Sequence, residues 1–133
     1  MTRKKPRWIS KKALLLLHEL NLSQFGGASG LRDEGLLESA LARPLQAQSY
    51  DDKNALPALA ASYAYGLTRN HPFIDGSKRA AFLAIGLILA INGHQLNAPQ
   101  TEAIATMLAL ARGELDEAAL TEWIARHCSL RSH

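Results

Sequence analysis

The chain has 133 residues, 47% of them apolar, a formal charge of +3 and one cysteine, Cys128. That is enough apolar material for one domain with a real core and too little chain for a second, and a lone cysteine excludes a disulfide framework or a cysteine-rich zinc site and fits a reducing cytoplasm. The basic excess sits in Arg3, Lys4, Lys5 and Arg7; beyond them acids and bases nearly balance, so residues 1–7 read as a solvated arm, with little to support nucleic-acid binding.

In chain order, Ser10 can cap a first helix that places Leu14, Leu17, His18 and Leu22 on one face and stops at Gly26-Gly27. The apolar run inside it, Ala13 to Leu17, ends at His18-Glu19, short of the roughly 7–15 residues of a secretory core. Asp33 can cap a second helix that buries Leu36, Leu37, Ala40 and Leu41 and stops before Pro44; Pro44 to Lys53 is then a polar loop with room for a small hairpin. A third helix from about Asn54 to Asn70 carries Leu56, Ala60, Tyr63, Ala64 and Leu67 at three- and four-residue steps.

The fourth helix, Ser77 to Ile91, is apolar on nearly all sides, the pattern of a helix surrounded by others. Its apolar run, Ala80 to Ile91, is too short for the roughly 20 residues of a membrane span. Asn92-Gly93 stops it. Pro99 suits the first turn of a fifth helix ending at Gly113, and Asp116 can cap a sixth, with Leu115 and Leu120 placed as a hydrophobic staple. No stretch shows sustained period-two alternation, so the expected class is all-α, about six helices around a central apolar one. Trp8 and Trp123 read as packing residues, and Cys128 as a helix residue.

Between the third and fourth helices stands His71-Pro72-Phe73-Ile74-Asp75-Gly76-Ser77-Lys78-Arg79. Pro72 biases His71 away from helical geometry, so an irregular loop should bridge the two helices. Unpaired N–H groups at the start of the fourth helix attract anions, and Lys78 and Arg79 add full charges beside them, which makes a berth for a nucleotide phosphate next to an imidazole. Taken singly, Asp75 or Ser77 would read as a helix cap, His71 as structural, and the two cations as solvated charges. Their joint occurrence points to a site. No Walker pattern occurs, so an ordinary P-loop is excluded at the motif level, and the remaining histidines show no zinc spacing.

This string resembles the signature of the Fic/Doc family, whose fuller form reads HPFx(D/E)GNGRxxR, with Lys replacing the second Gly in the Doc branch, as Lys78 does here. Phe25-Gly26-Gly27, Gly30-Leu31-Arg32-Asp33, Leu36-Leu37-Glu38-Ser39-Ala40 and Gly113-Glu114-Leu115 extend the resemblance from about Trp8 to His127. It implies a Fic fold over residues 1–133. His71 would be the general base for a target Ser or Thr hydroxyl, a role suited to imidazole. Asp75 would hold Mg²⁺, and Gly76, Ser77, Lys78, Arg79 and Arg69 would contact the phosphates of ATP.

Members with Gly at the position of Lys78 mostly transfer AMP. In the Doc branch the nucleotide lies reversed and the γ-phosphate is transferred, the translation factor EF-Tu being the known target. A lysine fills space that glycine leaves open and puts charge where another phosphate would sit, so phosphotransfer is expected ahead of AMP transfer. Phe82 in place of the last Arg of the AMP-transferring pattern agrees. Ser77 stands where both branches usually have Asn and offers one hydroxyl in place of an amide that donates and accepts. That leaves room for an attenuated protein that only binds its antitoxin. The self-inhibitory string (S/T)xxxE(G/N) of many Fic proteins is absent, so restraint is expected from a separate antitoxin whose helical segment lies in an apolar groove.

Overall fold

A computed structural model describes residues 7–46, 55–74 and 77–131. Helix α1 (Lys11–Phe25) starts where Ser10 accepts a 3.0 Å hydrogen bond from the Ala13 N–H, and it buries Leu14, His18 and Leu22, one residue per turn. It ends at Gly26, whose φ of +88° a side chain would resist and whose N–H donates to the Leu22 carbonyl at 2.7 Å. Asp33 caps α2 (Glu34–Gln46) by accepting from the Leu36 N–H at 2.9 Å. The expected stop before Pro44 does not occur: the helix runs through it to Gln46. Pro44 is almost fully buried, so its ring's burial offsets the one lost backbone bond, and so close to the end little of the ladder is disturbed. The loop expected after it falls mostly outside the described residues.

Helix α3 (Ala55–Asn70) is buried on most sides, and its small residues let α2 come close. A Cβ on Gly66 would stand 3.3 Å from the Ala40 Cα. Helix α4 (Ser77–Ile91) packs along α3 and also touches α1. It buries Ala80, Ala81, Ala84, Ile85, Ile88 and Leu89. It is the central apolar helix the sequence suggests, with one difference: Phe82 and Gly86 lie exposed, so its outer edge is open.

After α4 comes a short strand that hydropathy does not reveal, β1 (His94–Leu96). Helices α5 (Gln100–Ala111) and α6 (Glu117–His127) follow, then β2 (Cys128–Leu130). The strands pair antiparallel, with His94 opposite Leu130 and Leu96 opposite Cys128, and so fasten the end of α6 to the end of α4. Three-residue strands are too short to display alternation. Cys128 accordingly opens β2 and is no helix residue; burial pushes its thiol up, away from the reactive thiolate. Asp116 caps α6 by accepting from the Ala119 N–H at 2.8 Å.

Trp123 is buried and donates to Glu102 of α5 at 3.1 Å. The last residue of the expected arm is anchored: the Arg7 N–H donates to the Asn92 amide oxygen at 2.7 Å and its carbonyl accepts from the same side chain at 3.0 Å. Residues 1–6 lie outside the described ones. No described helix is long and apolar enough to cross a membrane.

Candidate active site

The third helix hands the chain to His71 through a left-handed cap. The His71 N–H still bonds the Leu67 carbonyl at 3.2 Å, while φ at His71 is +47°. That is the geometry in which glycine usually ends a helix, and a residue with a Cβ holds it at a cost of about 1–3 kcal/mol. Burial then divides the motif. Pro72 and Phe73 are buried, whereas His71 and Ile74 are exposed. Phe73 stacks on His18 of α1 with ring centroids 3.9 Å apart and planes 27° apart, so the loop is seated on the first helix by an aromatic contact.

A second strap comes from the segment before α2. Leu31 and Phe73 form an isolated antiparallel bridge, flanked by bonds from Arg32 N–H to the Pro72 carbonyl at 2.7 Å and from Ile74 N–H to the Gly30 carbonyl at 3.1 Å. Beyond the loop, α4 begins with Ser77, Lys78 and Arg79, and its first turn holds no acidic side chain. The partial positive charge of the helix start meets no acidic side chain within that turn, and two cations reinforce it. Lys78 is exposed; Arg79 is half-buried and its guanidinium donates to the Asn21 amide oxygen of α1 at 3.4 Å.

His71 thus follows directly on the end of α3, and Lys78 and Arg79 lie in the first turn of α4. Asp75, Gly76 and the side chain of Ser77 lie outside the described residues. Arg69 sits exposed on the last turn of α3 with its guanidinium over the Tyr65 ring, 5.4 Å from the centroid; Arg43 lies over the same ring at 4.8 Å. Sequence reasoning gives no role to His18 against Phe73, Asn21 against Arg79, or Arg32 against the loop. Arg32 stands inside a string that carries the family resemblance, which was a usable signal. Asn21 offered none, because a single amide on an apolar helix does not announce its partner.

Residues 8–89 match the model of the Fic/DOC family. The chain is 34% identical over 90 residues to a protein of Escherichia phage P1 named protein kinase doc, an alignment covering 68% of this chain and 71% of that protein. It is 48% identical over 77 residues to a protein of Mycolicibacterium smegmatis named toxin Doc, covering 56% of this chain and 58% of that one. This chain belongs to the Fic/Doc family.

Proposed function

We propose that the chain is a Doc-type toxin, acting in the cytoplasm, that transfers the γ-phosphate of ATP to a Ser or Thr hydroxyl of an EF-Tu-like translation factor and so arrests translation. The observation that carries the reading is Lys78 at the start of α4, exposed beside Arg79 and at the end of the loop that presents His71. A nucleotide's phosphates find backbone N–H groups, an ammonium and a guanidinium there. Lysine at this position, where AMP-transferring members carry glycine, and the kinase name of the phage P1 relative favour phosphate over AMP.

In the reaction, His71 takes the proton of the target hydroxyl as that oxygen bonds to the γ-phosphorus. The bond from phosphorus to the β–γ bridging oxygen breaks, and ADP leaves. Lys78 and Arg79 face the charge that spreads over the phosphate oxygens, and Asn21 holds Arg79 in place. Gly76, Ser77 and Arg69 would complete the phosphate contacts. A single carboxylate beside phosphate oxygens suits Mg²⁺, which keeps water and substrate among its ligands, and Asp75 would hold it.

The α5 and α6 residues beyond the matched region belong to the same core, Met107, Leu110, Leu120 and Ile124 among them, which supports reading residues 1–133 as one Fic/Doc domain. A cognate antitoxin is the expected restraint, its helical segment lying along exposed apolar positions: Leu16 and Leu20 on α1, Phe82 on α4, and Ile104 and Leu108 on α5. Helix α4 packs against both of the other two.

Incubating the chain with EF-Tu, ATP and Mg²⁺, beside a His71→Ala control, tests the reaction by intact mass of the target. A phosphate gain absent from the control is expected; an AMP gain would overturn the phosphotransfer reading. Ser77 favours a second reading, a toxin with weakened phosphate binding that still engages its antitoxin. A silent natural chain with an active Ser77→Asn variant would establish that one.

A further inference from the structure

The left-handed backbone at His71 needs something to hold it, and the structure provides one side chain that grips the turn from both sides. The Arg32 guanidinium donates from Nε to the His71 carbonyl at 2.7 Å and from Nη2 to the Asn70 carbonyl at 2.8 Å. These are carbonyls at the end of α3, which a helix leaves without internal partners. The same residue's N–H donates to the Pro72 carbonyl at 2.7 Å, and the Asp33 N–H reaches that oxygen at 3.2 Å. Asn70 answers in the opposite direction, its side-chain amide donating to the Leu36 carbonyl at 2.9 Å. Arg32 therefore contacts three consecutive carbonyls, Asn70, His71 and Pro72, of which the first two belong to the peptides on either side of His71.

We propose that Arg32 is a positioning residue for His71: its fork clamps the Asn70 and His71 carbonyls, holds the strained left-handed turn, and so aims the imidazole at the target hydroxyl. The inference rests on reading His71 as the general base. A planar guanidinium suits two acceptors at fixed spacing, whereas a lysine ammonium is a point charge that lacks the fork. Arg32 is exposed and lies outside the core, so its removal leaves the core packing in place. The phosphate contacts at α4 do not pass through it either. Its loss should therefore fall on turnover and leave nucleotide affinity alone.

The test uses the full chain carrying Arg32→Ala, Arg32→Lys or His71→Ala. In Arg32→Ala, kcat should drop about ten- to a hundredfold while KM for ATP stays nearly constant, since a displacement of an ångström at a reacting group costs on that order. Arg32→Lys should fall between, and added guanidinium ion should restore turnover to Arg32→Ala and leave His71→Ala dead. A readout independent of turnover is the Cα chemical shift of His71, which should leave its left-handed value in Arg32→Ala, with faster exchange of the Ile74 amide. Unchanged shifts, or unchanged kcat, overturn the proposal, as does a loss of activity that only follows a loss of folded protein. Full activity in His71→Ala would instead sink the reading of His71 as the base, and the shift measurement would still decide whether Arg32 holds the turn.

Discussion

Tyr63 shows how one side chain couples the chain's start to its core. Its hydroxyl accepts the Ile9 N–H at 3.1 Å, and burial pushes the phenol up from its ordinary value near 10. A raised folded value means that the neutral phenol's contribution is complete below about pH 10 and lost as pH rises through the folded value. Urea unfolding across the alkaline range should therefore show stability falling, and Tyr63→Phe should shed part of that fall. At neutral pH the variant should be less stable by about 1 kcal/mol, the Ile9 N–H having lost its acceptor. The Lys11 ammonium, held up by bonds to Glu34 and Glu38, also loses its contribution as pH rises, so the difference between the two proteins is the quantity to read. Caps such as Ser10, Asp33 and Asp116 were legible because capping is chemistry between near neighbours. The Arg43 fork on Glu117, two bonds of 2.7 Å across 74 positions of sequence, was not.

Two helical glycines separate what an element needs from what it merely tolerates. Gly66 lets α3 approach α2, and a methyl there would press on the Ala40 backbone at 3.3 Å, which cannot swing aside as a side chain can. Gly86 on α4 faces open space. Gly86→Ala should stabilise by about 0.5–1 kcal/mol from helix propensity, and Gly66→Ala should destabilise by about 1–3 kcal/mol from overpacking. Thermal unfolding of the pair checks both signs; a stabilised Gly66→Ala would mean that the α2–α3 contact yields easily. In sequence the two positions look alike. The Pro44 misreading has the same origin, because a proline's cost in a helix is local while the burial that offsets it belongs to the neighbouring elements.

Across the whole molecule, the open edge of α4 is the surface on which restraint by an antitoxin would act. Leu20 and Ile104 are 58% and 54% exposed, too much for either to be needed by the core. Leu20→Glu with Ile104→Glu should therefore leave thermal stability within about 0.5 kcal/mol while weakening capture of the cognate antitoxin at least tenfold by calorimetry. Undiminished affinity would place the antitoxin elsewhere.

The sequence by itself determined the six described helices, most of their caps, and the family motif with its histidine and two cations, because helical period, capping and motif spacing all act over a few residues. Only the tertiary structure decided that Arg32 clamps the His71 turn, that Asn21 meets Arg79, that His18 backs Phe73, and that one edge of α4 stays open. Each of those depends on bringing distant segments together through burial of the core, and burial selects partners by shape and position, which no local pattern encodes.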